Sequence, residues 1–444
     1  MRLKTMARQR TRQNTRGFLL IMGMFLTTAI LMFTTVGLTR SLTELSSANR
    51  FVAKIQAFHL AEAGIDCAIN QLRQNSNPAL IPLACNGAGL PTVTLTPRAE
   101  LNLFDVRSTG MVFSVPQSIV AVLRITSASS PFQQAMYGTM IGIPPGNPGI
   151  RLEASAFADS YDSSLGDYGF TNIAHNAEMR TTSNSSDAVR IIQGSELHGD
   201  TFTMNSTPPE YGVLVWLAVH DGTKNSAAPR TFPNAPVPQQ PSGCTDLGVL
   251  SVPSGVVLVK TGTTYCATNL SITGELQFPN LVNLYVKEWT SVKGGGHLEV
   301  GQGTVTVRDT LYVRDPGSYV KTTSGPVDLY VNALSVTNHA QVMGPGLRPS
   351  NVRIFHASAT PGIGPMSIWE SQVWGLIYAP DVFVGISHPT SVTLSDAALF
   401  GAAIGTQSSL RAAALHYDEQ VQSASFWPGW LGTTVELVAE YTPE

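Results

Sequence analysis

The apolar residues of the first 75 positions follow two successive patterns. Residues 17–38 carry no charged side chain over 22 positions, enough to cross a hydrocarbon core as a helix. Beyond Arg40 the apolar residues recur at steps of three, four or their sums, which is the pattern of one amphipathic face. This stripe comprises Leu38, Leu42, Leu45, Val52, Ile55, Ile65, Ile69 and Leu72. Because no proline interrupts residues 18–75, we predict one continuous helix that ends near Asn75.

The pattern after the helix changes to short alternating segments separated by proline and glycine. Such segments are typical of strands joined by turns. We predict strands at Thr92–Thr96, Phe104–Thr109 and Ile119–Ile125, and we assign residues 79–137 to a small β-domain.

The next region contains an internal repeat of about 20 to 24 residues, with three recurring apolar columns. The columns are Cys266, Val286, Val307, Val331 and Ile354; Ile272, Val292, Val313 and Val336; and Phe278, Val300, Val320 and Val342. One unit is too small to bury a face alone, so stacking has to complete the core. We predict a parallel β-helix over residues 138–425, with a β-sandwich of evenly spaced strands as the alternative.

Two segments interrupt or end this repeat. Residues 221–245 are rich in proline and glycine towards their end, and we interpret them as a loop inserted into the solenoid. Residues 426–444, with Trp427 and Trp430, are expected to form a C-terminal cap or tail. The predicted fold class is therefore α+β and mostly β: a long helix, a small β-domain and a solenoid.

The charges of the N-terminus indicate how the long helix is oriented. The first sixteen residues carry six positive charges and no acid, so this flank should stay cytoplasmic and the rest should be exported. A secretory signal has a shorter apolar core followed by a small-residue cleavage site. Here the small residue, Gly17, precedes the apolar run. An ordinary N-terminal signal anchor is the alternative interpretation.

This arrangement resembles the class III signal of type IV pilins. The resemblance implies that a prepilin peptidase cuts after Gly17 and N-methylates Phe18, so that residues 1–17 are the leader and residues 18–78 the pilin helix. Counted from Phe18, the fifth residue is Met22, where major pilins carry a glutamate that is thought to neutralise a neighbour's N-terminal amine. The difference argues against a role as the bulk subunit of a filament.

A second motif narrows the resemblance to one class of pilins. The string AFHLAEAGI, which follows the RGF start by about forty residues, resembles the AFYLAEAG-like motif of PilX-type minor pilins. The matching residues are Ala57, Phe58, Leu60, Ala61, Glu62, Ala63 and Gly64. The strings FDVRSTGMV, IVAVLRI and PFQQAMYG resemble the small β-domain of that family. The string HYDE at His416–Glu419 resembles a tail found after β-helical regions of pilin-like proteins, and we expect it to leave the last coil and cover its open edge.

Four cysteines, Cys67, Cys85, Cys244 and Cys266, are consistent with an oxidising compartment. Their grouping suggests the pairs Cys67–Cys85 and Cys244–Cys266, although four cysteines allow three pairings. Buried free thiols are an alternative, whereas the absence of a Cys-x-x-Cys pair disfavours a zinc site.

Composition and motifs also bear on catalysis and ligands. Removing the six leader charges from the net charge of −3 leaves about −9, which disfavours nucleic acid as a partner. Sugar-cleaving chemistry needs clustered carboxylates, but Asp309, Asp315 and Asp328 share no column position. Asp159, Asp162 and Asp167 are interpreted as a solvated turn rather than a calcium site. No phosphate-binding, dinucleotide or HExxH motif occurs. We expect no enzymatic activity, no cofactor and no metal ion.

The resemblance implies a minor pilin-like subunit of a type IV pilus or related filament that primes assembly or displays its β-helix at the tip for adhesion. Its expected partners are other pilins or pseudopilins, the prepilin peptidase, the inner membrane before assembly and a surface ligand. Its expected location is the inner membrane with the bulk periplasmic, and then the extracellular filament. The alternatives are a K-like pseudopilin of a type II secretion system and a permanently anchored envelope adhesin.

Overall fold

The computed structural model describes residues 3–75, 85, 90–98, 103–126, 130–140, 143, 147–169, 171–206, 212–358, 364–387, 397–423 and 434–443. The chain begins with one helix, α1 (Leu3–Asn75). Its 73 residues correspond to a rod of about 110 Å at 1.5 Å per residue. The helix ends at Asn75, as the uninterrupted sequence pattern predicts.

The second half of α1 packs on a small antiparallel sheet of order β1-β2-β3-β34. Its strands are β1 (Thr92–Pro97), β2 (Leu103–Val112), β3 (Val115–Thr126) and β34 (Thr434–Pro443). The last strand comes from the C-terminus and pairs with β3. These C-terminal residues, expected to form a cap or tail, thus return to the small domain, which is built from both ends of the described chain.

A small core joins the helix to this sheet. Buried helix residues Ile65 and Leu72 pack with Val106, Ile119 and Leu123 of the strands. Because the sheet alternates buried and exposed positions along β2, only one of its faces meets the helix. Trp427 and Trp430 lie outside the described residues.

Within the described residues, the remaining thirty strands form a parallel solenoid with three strands per coil, in agreement with the predicted β-helix. Its first part comprises β4 (Met136–Gly138), β5 (Ile150–Glu153), β6 (Phe157–Tyr161), β7 (Met179–Thr181), β8 (Val189–Ile192), β9 (Glu196–Leu197), β10 (Thr201–Thr203), β11 (Val213–Trp216), β12 (Val219–His220) and β13 (Lys224–Ser226). Its second part comprises β14 (Thr245–Asp246), β15 (Val249–Val252), β16 (Val257–Val259), β17 (Thr264–Ala267), β18 (Asn269–Ile272), β19 (Glu275–Phe278), β20 (Asn283–Val286), β21 (Thr290–Val292), β22 (His297–Val300), β23 (Gly303–Arg314), β24 (Tyr319–Thr322), β25 (Val327–Thr337), β26 (Gln341–Met343), β27 (Val352–His356), β28 (Met366–Trp369), β29 (Gln372–Ala379), β30 (Val384–Ser387), β31 (Ala398–Gly405), β32 (Ser408–Arg411) and β33 (Ala414–Asp418). Short 3-10 helices lie at Pro345–Leu347, Pro349–Asn351 and Glu419–Ser423.

The order of the coils in space differs from their order in the chain. The coil β4-β5-β6 pairs on one side with β7-β8-β9 and on the other with β31-β32-β33. The chain therefore enters the solenoid in its interior, winds outward to β13, and crosses to the opposite end. From β14 it winds back until β33 meets β6.

The crossing segment, residues 227–244, covers most of the proline-rich stretch 221–245 that the sequence predicts to be a loop. The prediction was wrong for Lys224–Ser226 within that stretch, because these residues form β13 and pair with β10. The crossing segment lies against the outside of the coils rather than in solvent alone. The ring of Phe232 packs edge-on against Tyr137 at 4.7 Å, and the hydroxyl of Tyr378 donates to the carbonyl of Pro233 at 2.6 Å. The backbone N–H of Arg230 donates to the hydroxyl of Tyr137 at 3.0 Å. These contacts bury both tyrosines on the outer face of the solenoid.

Of the three predicted columns, the second is correct, and the first and third contain shifts in register. Ile272, Val292, Val313 and Val336 pair in register and are all fully buried. In the first column, Val286 pairs with Ala267 instead of the neighbouring Cys266. Ile354 pairs with Leu329 and not with Val331, the preceding residue of its predicted column. Val320 pairs with Leu298 and not with Val300. The shifts arise because turns of different length join the faces, whereas a column read from sequence assumes a constant period.

Candidate functional site

The first half of α1 exposes an unbroken apolar surface. Every side chain described from Leu20 to Val52 is exposed, including Phe25 at 74% and Phe33 at 80%. The helix is long and apolar enough to cross a membrane. Nothing in the described part of the chain covers this surface, and an apolar patch of this size marks contact with lipid or protein.

The hydroxyl groups within this surface are satisfied inside the helix. Thr27, Thr28, Thr34, Thr35 and Thr39 each donate to the backbone carbonyl four residues earlier, at about 2.9 Å. A polar group without a partner is costly in hydrocarbon. The local hydrogen bonds therefore make the threonines compatible with an apolar medium.

The predicted stripe divides at about residue 53. Ile65 and Leu72 are buried against the sheet and Ile69 is half-buried, as expected. The stripe from Leu38 to Ile55 is exposed instead, because the small domain reaches only the second half of the helix. The buried face there also includes small residues that the stripe omitted, namely Ala53, Ala57, Ala61 and Ala68.

The AFHLAEAG motif lies where helix and sheet approach most closely. Ala57 and Ala61 are fully buried, and a Cβ added to Gly64 would lie 2.1 Å from Oγ of Ser108. A Cβ added to Gly110 on β2 would lie 2.1 Å from the carbonyl oxygen of Ala57. Small residues are thus required on both sides of this seam, because any larger side chain separates the two backbones.

The other motif residues have less constrained surroundings. Phe58 and Leu60 are half-buried, and Ala63 is exposed. The carboxylate of Glu62 lies 2.8 Å from Nδ1 of His59 on the helix surface. At the N-terminal end, Gly17 and Phe18 lie within α1, and Phe18 is 65% exposed. Met22 is also exposed.

Two disulfides pair the cysteines as the grouping suggests. Cys67 on α1 bonds to Cys85, which ties the end of the helix to the segment before the sheet. Cys244 bonds to Cys266 of β17 and fixes the point where the crossing segment enters its first coil. Closing loops of 18 and 22 residues restricts the unfolded chain more than the folded one.

The tip of the β2–β3 hairpin carries an unusual exposed aromatic residue. Phe113 is 89% exposed, and both Phe113 and Ser114 have positive φ, of 46° and 64°. Two-residue hairpin turns of this kind strongly favour asparagine and glycine because other side chains are strained there. The tip also borders a groove of about 830 Å³ against α1, lined by Leu42, Leu45, Asn49, Arg50 and Ala53 among others.

The HYDE segment does not cover an open edge, which corrects our sequence-based expectation. Its first three residues form the end of β33, between β31 and β6, and all are buried. Nδ1 of His416 lies 2.6 Å from Oδ1 of Asp159. The hydroxyl of Tyr417 donates to the carbonyl of Phe132 at 2.9 Å.

The two acids of the segment also bind residues more than 240 positions away in sequence. Asp418 accepts hydrogen bonds from the backbone and the hydroxyl of Ser163. Glu419 accepts from Ser160 at 2.8 Å and from Asn176 at 2.9 Å. Burial raises the pKa of Asp418 above its ordinary value, although these hydrogen bonds oppose the shift. The segment therefore joins the two halves of the solenoid.

Beside this junction is a cleft of about 120 Å³ with aromatic walls. The rings of Trp374 and Phe400 stack at 4.7 Å with an interplanar angle of 3°. Tyr168 lies against Phe400 and donates its hydroxyl to Asp159 at 2.7 Å. Aromatic rings with adjacent polar groups are common on binding surfaces, but this cleft is smaller than the roughly 300–1,000 Å³ of a typical small-molecule pocket.

The predicted acidic turn has two distinct parts. Asp159 is buried in β6 and bonded to His416 and Tyr168, so it is not in a solvated turn. Asp167 is exposed and Asp162 is partly exposed, where it accepts from the backbone of Ser164. In the repeat, Asp328 is buried and bonded to Arg353 at 2.6 Å. Asp159, Asp162 and Asp328 thus act as structural hydrogen-bond partners within the fold.

Comparison with known proteins gives limited matches. Residues 254–424 match a family model described as Domain of unknown function (DUF7305), which is less than half of the chain. A search of curated proteins finds no match. Among solved structures, the chain is similar to the competence-associated pilin ComZ from Thermus thermophilus, at 12% identity over 88% of this chain and 98% of that chain. The TM-score is 0.22.

Proposed function

We propose that this protein is a pilin-like filament subunit that is held in the inner membrane by α1 before assembly and packs beside neighbouring helices afterwards. The observation that carries the proposal is the exposed apolar surface from Leu20 to Val52 on one unbroken helix. A bilayer covers such a surface first, and the helices of other pilins or pseudopilins cover it in a filament.

The hairpin tip supports an assembly contact outside the membrane. Phe113 keeps a strained backbone and an exposed ring beside the groove on α1. Strain of this kind persists where function requires it. In the proposed filament, the ring and the groove contact the helix of the next subunit.

The subunit is proposed to be of the minor, PilX-type kind, near the filament tip. Met22 offers no carboxylate to a neighbour's terminal amine, and an uncompensated ammonium is costly in an apolar bundle. The solenoid is also large for a subunit repeated along a thin shaft. It would prime assembly or present the cleft at Trp374 and Phe400 to a surface ligand, without enzymatic activity of its own.

Processing at Gly17 tests this proposal. The peptidase needs a residue without a side chain at the cut, so Gly17→Val should leave the leader attached, and wild-type protein should begin at N-methylated Phe18. Gly23→Val is the matched control, because it introduces the same side chain into the same helix at an exposed position with no neighbour within 4 Å. N-terminal mass spectrometry separates the cases. An intact Met1 start in wild-type cells that process other prepilins would contradict the proposal.

The two alternative functions predict different partners. A K-like pseudopilin of a type II secretion system should be crosslinked to pseudopilins when cysteines are placed at Leu45 or Val52. An anchored envelope adhesin should form no such crosslinks and should keep its leader.

A further inference from the structure

Three successive coils bring two histidines and an aspartate together at one corner of the solenoid. Strands β9 and β12 pair with Leu197 opposite His220, so the following residues, His198 and Asp221, lie side by side. His175 comes from the segment between β6 and β7 and reaches the same corner. Residues far apart along the chain thus converge through the stacking of coils.

The backbones behind these side chains are in close contact. A Cβ added to Gly222 would lie 2.0 Å from the carbonyl oxygen of Gly199. A Cβ added to Gly199 would lie 2.6 Å from the carbonyl carbon of Ala177. These positions require glycine, and they directly follow or adjoin the cluster residues. The close packing therefore fixes the backbone spacing of His198 and Asp221, so this part of the cluster is preorganised, as a ligand site requires.

The polar atoms converge on one point. Nδ1 of His198 lies 2.6 Å and Nδ1 of His175 lies 3.0 Å from the same oxygen, Oδ2 of Asp221. One potential ligand atom from each of the three residues lies within 4.8 Å of the other two. Zinc bonds of about 2.0–2.2 Å in a tetrahedron place ligand atoms roughly 3.3 Å apart, so only small side-chain movements are needed to admit an ion.

A carboxylate also lies near the second ring nitrogen of His198. Its Nε2 lies 3.5 Å from Oε2 of Glu196, which precedes it by two residues. A histidine that binds a metal through one nitrogen usually donates its other N–H to a carboxylate or a carbonyl. Glu196 is placed to orient His198 in this way.

We propose that His175, His198 and Asp221 form a binding site for a divalent transition-metal ion of the zinc type. Two imidazole nitrogens and one carboxylate oxygen suit such ions, whereas calcium and magnesium prefer oxygen ligands alone. The side chains of His175 and Asp221 are 63% and 38% exposed, so water can reach the fourth position. The site differs from the sequence-based expectation of no metal ion, because the three residues converge only once the coils stack. It does not depend on the proposed filament role.

Zinc binding by the full-length protein tests the inference. The protein, carrying a histidine-free tag, is purified in detergent, treated with chelator, and titrated with zinc chloride by calorimetry. We expect one equivalent to bind with saturation below roughly 100 µM. His198→Gln and Asp221→Asn should each abolish this saturable heat. Glu196→Gln should weaken affinity about 10- to 100-fold, as expected for an orienting carboxylate.

Control variants separate the site from non-specific binding and from misfolding. His297→Gln changes a histidine that stacks on Tyr319 at another place on the solenoid, and it should bind zinc as the wild type does. Circular dichroism without metal should be the same for all variants. Absence of saturable binding in the wild type, or undiminished binding in His198→Gln, would overturn the proposal and would identify the cluster as hydrogen-bonded side chains only.

Discussion

Gly110→Ala examines the seam between helix and sheet in the most direct way. The added Cβ would lie 2.1 Å from the carbonyl oxygen of Ala57, 2.8 Å from the backbone nitrogen of Ala61 and 2.9 Å from Cβ of Leu60. All three are on α1, and two are backbone atoms, so a side-chain rotation cannot relieve the overlap. The sheet has to move away by about 1 Å to restore ordinary contact.

This displacement has a predictable energetic cost. Overpacking of a well-packed contact typically costs about 1–3 kcal/mol. A value near 2 kcal/mol corresponds to a roughly 30-fold increase in the population of the locally opened state, since about 1.4 kcal/mol is a factor of ten. Alanine is otherwise favoured over glycine within a strand. A destabilising effect would therefore come from the seam and not from strand propensity.

Amide hydrogen exchange measures this local opening without requiring the solenoid to unfold. Protection of residues 103–112 and of 57–68 should fall about 30-fold in Gly110→Ala, while the solenoid amides stay unchanged. Gly169→Ala is the control, because an added Cβ there has no neighbour within 4 Å and should change nothing. Equal protection in the two variants would refute the close approach and the role we give the motif.

Three further perturbations test other parts of the structure. Val313→Asp places an unpaired carboxylate in the solenoid core at a cost of several kcal/mol, whereas Tyr312→Asp, at a neighbouring exposed position, should leave the thermal melt nearly unchanged. Equal melting temperatures for the two variants would show that Val313 is not in the core. Phe113→Gly should leave the stability of the monomer within about 1 kcal/mol of wild type, because glycine accepts positive φ. The variant should nevertheless be recovered in purified filaments in smaller amounts than the wild type, and normal recovery would exclude the ring from assembly. The pKa of Glu178 is raised by burial and by repulsion from Asp200, so the contribution of this residue to stability declines as pH rises above the unfolded pKa of about 4.3. The gain in melting temperature from Glu178→Gln should therefore be larger at pH 7 than at pH 4. An equal gain at the two pH values would contradict the raised pKa.

Patterns along the sequence predicted the elements that depend on residues close together in the chain. The helix end at Asn75 follows from an uninterrupted apolar pattern, and the column through Val292, Val313 and Val336 follows from a nearly constant period. The motif residues Ala57 and Gly64 were recognised by resemblance, but their role became clear only from the distance between helix and sheet.

Long-range pairings could not be predicted in the same way. The pairing of β33 with β6 joins residues more than 250 positions apart, and β34 joins a sheet whose other strands precede the solenoid. Both depend on where the crossing segment delivers the chain, which no local period encodes. The cluster of His175, His198 and Asp221 was missed for a different reason. Its members recur at intervals of 23 residues, but the repeat was recognised from the sequence only from Cys266 onward.

The most direct test of the filament-subunit account is the composition of sheared, purified filaments, measured by quantitative mass spectrometry. The account predicts mature protein that begins at N-methylated Phe18, in the filament fraction, at far below the abundance of the major subunit. Protein found only in the membrane fraction with its leader attached would contradict the account.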